Sequence, residues 1–258
     1  MIGLLNYEEF GDEEFSKTVL ILHGLFGSAQ NWQSFAKKLS KNSIRVITVD
    51  LRNHGKSFHH PVHNYEVMVS DVIRLLSKIG GPVYIIGHSM GGKVAMLLAG
   101  KYSEFVRRLV IIDIAPVPYN HSHLDKVKSL MRVDLSDLKL RSEVEEIIRG
   151  DISDPGERAF FMLNLSRSDD TLIWKFNLNA LKNYMDEIMG FPSGNFKFLG
   201  PTLFVSGSES SYIQDIHLKK MENIFPKYKL KVLENCGHWV HAEKPNELLS
   251  LVNSFLVN

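Results

Sequence analysis

A serine framed by glycines, Gly87-His88-Ser89-Met90-Gly91, joins the apolar run Val83 to Ile86 to the helix-like run Lys93 to Gly100. A sharp turn between a strand and a helix holds a side chain out at the carboxyl edge of a sheet, and glycines two before and two after let neighbouring backbone come close. Ser89 is therefore a candidate nucleophile, although the same pattern also serves as an ordinary glycine-rich connection. A serine hydroxyl attacks poorly unaided. Nucleophilic chemistry here demands a histidine base, an acid to orient it and donors for a developing oxyanion.

Of the eleven histidines, His238 has the right chain order. It lies in Asn235-Cys236-Gly237-His238-Trp239, directly after the apolar run Leu230 to Leu233, and Gly237 allows a sharp turn there. His241, three residues on, reads as part of the start of the last helix. The acid is expected at Asp113, which ends the run Leu109 to Ile112 and preserves the order Ser, Asp, His. A carboxylate in that place could also simply be satisfied by backbone donors. The other usual place for an acid is the last position of a Gly-X-X-Asp run after the penultimate strand. Here that run is Gly207-Ser208-Glu209-Ser210, with serine where aspartate would stand and Glu209 as the reserve acid. The oxyanion needs backbone N–H groups: that of Met90, next after the nucleophile, and one from His23-Gly24-Leu25-Phe26-Gly27, expected at Leu25 with Phe26 as the alternative. His23 itself reads as a structural histidine bonded within that loop.

The elements that must position these groups are legible as periodicity. Short, largely β-branched runs recur at Val19 to Leu22, Val46 to Val49, Val83 to Ile86, Leu109 to Ile112, Leu203 to Val205 and Leu230 to Leu233. Helical stretches lie between them at about Ala29 to Ser40, Tyr65 to Ile79, Met90 to Tyr102, Ile213 to Phe225 and Pro245 to Val257. This alternation predicts an α/β fold, a mostly parallel central sheet flanked by helices. It stops between Pro116 and Pro201, where Leu124 to Met131, Ser142 to Arg149, Gly156 to Leu165 and Leu178 to Met189 read as amphipathic helices, with Asp154-Pro155 as a helix start. The expected organisation is a core of residues 1–116 and 200–258 and a helical lid of residues 117–199. Phe160, Phe161, Met162, Trp174 and Phe176 are candidates to line a pocket beneath the lid, or equally to form its own core.

Composition narrows the partners. The formal net charge is +1 over 258 residues with no continuous basic face, which argues against nucleic acid. A single cysteine, Cys236, excludes an intramolecular disulfide and a CxxC metal site. It reads as a small packed residue rather than a nucleophile. His54, His59, His60 and His63 crowd into ten residues, but Pro61 limits their geometry and no cysteine or carboxylate lies among them, so no metal and no cofactor is expected. Met1 to Phe10 lacks the basic start and apolar core of a secretory signal, and Ile2 does not suit myristoylation. No apolar run approaches the length needed to span a bilayer. The expectation is a cytoplasmic protein without membrane or nucleic-acid partners, a monomer or small homo-oligomer.

These residues, with Asp50-Leu51-Arg52-Asn53-His54-Gly55-Lys56-Ser57, make the chain resemble an α/β-hydrolase. Ile112-Asp113-Ile114-Ala115-Pro116-Val117, Trp174-Lys175-Phe176-Asn177-Leu178 and Gly237-His238-Trp239-Val240-His241-Ala242-Glu243-Lys244-Pro245 resemble the bacterial YbfF-type esterases and their mitochondrial abhydrolase relatives. The resemblance covers nearly the whole length and is weakest from Asn120 to Thr171. It implies hydrolysis of small-molecule esters or thioesters, acyl-CoA among them. It also implies an acid after the strand preceding the penultimate one, which supports Asp113, and leaves room for an auxiliary serine at Ser206 or Ser210. The rival expectations are a non-catalytic binding protein on the same fold, or carbon-carbon hydrolysis or perhydrolysis by the same residues.

Overall fold

The six β-branched runs become six strands of one seven-stranded sheet in the computed structural model, which describes residues 3 to 257. Met1 and Ile2, part of the N-terminal reading, lie outside the described residues. The chain runs through β1 (Tyr7–Phe10), β2 (Lys17–Leu22), α1 (Gln33–Leu39), β3 (Ile44–Val49), α2 (Tyr65–Ile79), β4 (Val83–His88), α3 (Met90–Lys101) and β5 (Val106–Ile112). An insertion follows, made of α4 (Leu124–Met131), α5 (Arg141–Arg149), α6 (Pro155–Met162), β6 (Leu165–Ser168), β7 (Thr171–Trp174), α7 (Leu178–Asn183) and α8 (Met185–Met189). The sheet then resumes with β8 (Thr202–Gly207), α9 (Asp215–Ile224), β9 (Tyr228–Leu233), α10 (Val240–Glu243) and α11 (Pro245–Val257). Strand order is β1-β3-β2-β4-β5-β8-β9, parallel throughout except for β1 against β3.

Strands buried on both faces need apolar cover on each side, and the helices supply it. On one face α1, the turn before it and α11 pack Trp32, Phe35, Leu39, Leu248 and Val252 against Val19, Ile21, Val46, Ile86 and Val110. On the other, α2 and α3 bring Met68, Val72, Leu75, Val94 and Leu98 onto Leu20, Leu22, Ile85 and Leu109.

Three features depart from the sequence-based expectation. The edge strand β1 has the sequence Tyr-Glu-Glu-Phe, whose paired carboxylates suit a half-exposed border and give no apolar run to read. The insertion is not all helical: Leu165 to Trp174 forms an antiparallel hairpin, and Asp169 takes the left-handed conformation (φ 50°) that its tight turn requires. The stretch expected as one helix from Leu178 to Met189 is two, broken at Tyr184. The start of α6 is as expected, with the Asp154 carboxylate accepting from the Glu157 amide at 2.6 Å and Pro155 in the first turn.

The segment Asp50 to Ser57 organises the loops at the carboxyl edge. Asp50 accepts from the amides of Ala29 (2.7 Å) and Lys56 (2.9 Å) and from the Asn6 amide group (2.8 Å). Gly55 is forced: its φ is +57°, and a Cβ there would lie 2.2 Å from the Asp50 carboxylate. Arg52 and Asp71, both about 1% exposed, form a two-point ion pair at 2.5 and 2.9 Å, and Arg52 also donates to the Val62 carbonyl. Removing one member of such a pair leaves the other charge buried alone. Asp71→Ala should therefore cost about 3–5 kcal/mol, read as a lower urea midpoint at unchanged m.

Candidate active site

Ser89 sits where β4 ends and α3 begins, at φ 50° and ψ −119°. Such a strained backbone persists only if the surroundings over-determine it. They do. A Cβ on Gly87 would fall 2.5 Å from the Gly91 carbonyl oxygen, and one on Gly91 would fall 2.4 Å from the carbonyl oxygens of Leu22 and His23. The Ser89 amide donates to the Ile112 carbonyl at 3.1 Å, which ties the turn to β5.

Asp113, directly after β5, is fully buried and also has a positive φ of 50°. Its Oδ1 accepts from Ser206 Oγ (3.1 Å) and the Gly207 amide (3.1 Å). Its Oδ2 accepts from Ser210 Oγ (2.5 Å) and from His238 Nδ1 (2.7 Å). The carboxylate beside His238 is thus that of Asp113, whereas Glu209 is exposed and contributes its amide to the Cys236 carbonyl. Ser89 and His238 line one cavity.

The loop after β2 places Leu25 against the same cavities as Ser89, and Met90 lines one of them. The alternative donor is otherwise engaged: the Phe26 amide donates to His54 Nε2 at 3.3 Å, an arrangement helped by the positive φ of 61° at Phe26. His54 in turn donates from Nδ1 to the Arg52 carbonyl at 3.0 Å. His23 donates from Nδ1 to the Gly24 carbonyl (2.8 Å) and accepts the Leu51 amide at Nε2 (3.0 Å), so it is a loop strut. The four clustered histidines are dispersed among such duties: His63 accepts from the Asn53 side chain, His60 accepts from the Val62 amide and His59 faces the Lys175 carbonyl. Among the described residues, no three His, Cys, Asp or Glu side chains come together to hold a metal. Cys236 is buried, and that burial pushes its thiol up to about 11.

Several contributors carried no readable signal. His88, inside the turn itself, donates from Nε2 to the His238 carbonyl at 3.0 Å and so pins the histidine loop from the serine's own strand. Tyr212 stacks on the His238 ring with centroids 4.1 Å apart. Tyr119 OH accepts from the Ala115 amide and donates to the Tyr212 carbonyl at 2.7 Å. Lys93, on the first turns of α3, is buried and donates to the carbonyls of Ile188, Met189 and Gly190. Burial draws its ammonium down to about 7, while the three carbonyls favour the charged form. Of the insertion's aromatics, Phe160 and Phe161 line the cavity at Ser89, Phe176 and Met162 are buried in the core, and Trp174 stacks on Phe176.

A histidine oriented by a buried carboxylate, lining one cavity with a serine, can take that serine's proton during attack on an electrophilic carbon. The profile of the alpha/beta hydrolase family matches residues 19–251 of the chain. The sn-1-specific diacylglycerol lipase ABHD11 of Mus musculus is 37% identical over 98% of this chain and 85% of its own length. Esterase YbfF of Escherichia coli strain K12 is 34% identical over 92% of each. The solved structure of a marine microorganism esterase superposes with a TM-score of 0.94 at 33% identity, covering 98% of this chain and 99% of that one.

Burial holds several rings around the site neutral. His63 and His241 are lowered to about 3 and His123 to about 4, and His88 and His54 lie well below 6.5. As pH falls through about 6.5, the unfolded chain takes up protons that the folded chain refuses until near 3 or 4. Each ring then removes about 1.4 kcal/mol of stability per pH unit across its own window. Urea unfolding should show stability that falls steeply from pH 7 toward pH 5, with a shallower rise above pH 7 from Lys93, whose folded-state ammonium is drawn down to about 7. A flat profile between those points would exclude neutral, buried rings.

Proposed function

Because the chain belongs to the alpha/beta hydrolase family, in the branch of the YbfF-type esterases and their abhydrolase-domain relatives, we propose that it hydrolyses carboxylic esters or thioesters through an acyl group carried on Ser89. The observation that carries the reading is the 2.7 Å hydrogen bond from His238 Nδ1 to the buried Asp113 carboxylate, beside a serine held in a strained turn. With Nδ1 committed as donor, Nε2 is left as the acceptor, the tautomer a general base needs.

Ser89 Oγ attacks the acyl carbon and His238 Nε2 takes its proton. The carbonyl oxygen becomes an oxyanion held by the amides of Leu25 and Met90, each such donor being worth roughly 3–4 kcal/mol. As the tetrahedral species collapses, the bond to the leaving oxygen or sulfur breaks and His238 returns the proton to it. Water then attacks the acyl carbon as His238 takes its proton, the bond to Ser89 Oγ breaks, His238 returns the proton to that oxygen and the acid leaves. Asp113 holds the imidazole orientation, and Ser206 and Ser210 act through Asp113 by fixing its carboxylate. Residues 117–199 form the lid in this reading, with Phe160 and Phe161 on its inner side.

Ser89→Ala should lower turnover of an activated ester by roughly a millionfold, and Asp113→Asn by about ten-thousandfold through loss of the imidazole tautomer. A fluorophosphonate should label Ser89, located by peptide mapping. Absence of that adduct in folded protein would favour a binding protein without catalysis. Should Glu209→Gln prove more damaging than Asp113→Asn, the acid would have to be reassigned.

A further inference from the structure

Ser89 stands on a wall shared by two chambers, together with Leu25 and His123. One chamber, of about 280 Å³, is bounded by Tyr65, Met90, Lys93, Tyr119 and Ile188. The other, of about 410 Å³, is bounded by Phe160, Phe161, His238 and Trp239, with the Lys126–Glu157 ion pair in its wall. Only the second contains the base. In the hydrolysis proposed above, on which this inference rests, His238 must hand its proton to the leaving atom, so the leaving group has to lie on the side of His238. The acyl carbon is fixed at Ser89 Oγ with its oxygen toward Met90 and Leu25. The remaining substituent, the acyl chain, is left the chamber without His238.

That chamber has a closed end. The three protons of the Lys93 ammonium are matched by three carbonyls: Met189 at 2.9 Å, Gly190 at 2.5 Å and Ile188 at 3.4 Å. The Tyr65 hydroxyl donates to Ile188 at 2.6 Å, and the Tyr119 amide donates to Met189 at 3.0 Å. The Lys93 Nζ also lies 4.8 Å from the centre of the Tyr119 ring. No ammonium proton is left over for a substrate, so Lys93 is a brace and not a receptor. It fastens the end of α8 across the chamber.

We propose that the Tyr65–Lys93–Tyr119 chamber receives the acyl chain, that Lys93 limits its length by clamping residues 188–190 across the end, and that the aromatic chamber at His238 takes the leaving group. The substrate class is then a short, uncharged acyl group on a larger, apolar or aromatic alcohol or thiol. Lys93 is a positioning residue in this scheme, because it acts through the backbone it holds.

The test uses kcat/KM, which reports acylation, on two matched ester series: nitrophenyl esters from acetyl to dodecanoyl, and acetate esters of phenols and naphthols of increasing size. The unmodified protein should be fastest with acetyl to butyryl and fall by about tenfold or more by octanoyl, in line with the discrimination a hydrophobic pocket makes per methylene. Lys93→Met and Ile188→Ala should each move the optimum to longer acyl chains while leaving the order among the leaving groups unchanged. Phe160→Ala should do the reverse. If Lys93→Met does not fold, Ile188→Ala, which keeps the clamp, still decides which chamber takes the acyl chain, and Lys93→Gln, with two amide protons for three carbonyls, tests the clamp by the same shift to longer chains. An optimum at octanoyl or beyond in the unmodified protein, or a chain-length optimum that follows Phe160→Ala and ignores Ile188→Ala, overturns the assignment. In either case, loss of both series in Ser89→Ala leaves the hydrolase reading standing, whereas no Ser89-dependent rate on any of these esters or on the matching acyl-CoA thioesters removes both.

Discussion

A negative charge with no access to solvent governs the carboxyl edge of this sheet. The Asp113 carboxylate is 0% exposed, and burying such a group costs several kcal/mol unless hydrogen bonds replace its water. Four donors do so, and they come from three places: Ser206 and Gly207 at the end of β8, Ser210 in the loop beyond it, and His238 in the loop after β9. Satisfying one carboxylate therefore fixes the mutual placement of β5, β8 and the histidine loop. The Asp113 amide adds to this by donating to the Val205 carbonyl at 2.8 Å, and the Ser89 amide is bonded to β5 one residue earlier. Because its ligands are short hydroxyls and a backbone amide, the carboxylate needs no cation, and none of its neighbours neutralises it except the imidazole when that ring carries a proton.

Much of this geometry was legible because it depends on covalent proximity. The turn at Ser89 is a local pattern whose glycines are demanded by backbone atoms 2.4 to 2.7 Å from any Cβ. The inner parallel strands announce themselves by burial on both faces, β9 by a short apolar alternation at the sheet border, and the loops that follow such strands lie at the carboxyl edge. That placed Asp113 and His238 without knowledge of any contact between them. What could not be read depends on contacts between distant segments, or on strands that are only half buried. The run Tyr7 to Phe10 pairs at an edge and so has no apolar signature. In the hairpin Leu165 to Trp174, Leu165 and Leu172 point inward while Ser166 and Ile173 do not, a period of two too short to stand out among helical periods. Leu25 was the expected oxyanion donor and Phe26 the alternative, and nothing local shows that His54, 28 residues away, holds the Phe26 amide.

The histidine-rich stretch is instructive for the same reason. Four imidazoles within ten residues resemble a metal site by count, yet a neutral imidazole is also a donor and an acceptor joined by a rigid ring, suited to linking backbone groups at a fixed separation. His23 and His54 both serve in that way, each donating through Nδ1 to a nearby carbonyl and accepting an amide from another loop at Nε2. Burial keeps them neutral, and only the neutral ring can accept at Nε2. The linkage and the neutrality thus support one another, and together they hold the loop that carries Leu25.

Lys93 shows how the two layers of the molecule are joined. On periodicity it is a polar residue on a helix that is otherwise apolar, an apparent fault in the core of α3. A buried ammonium without partners would be costly, but the C-terminal carbonyls of a short helix are themselves short of donors. At Ile188, Met189 and Gly190 each deficiency answers the other. The consequence is geometric: the helix that begins at Ser89 also carries, one turn later, the group that anchors the far end of the insertion. The distance from the nucleophile to that anchor is set by a single turn of α-helix, a rigid spacer that changes in the other loops of the insertion do not alter.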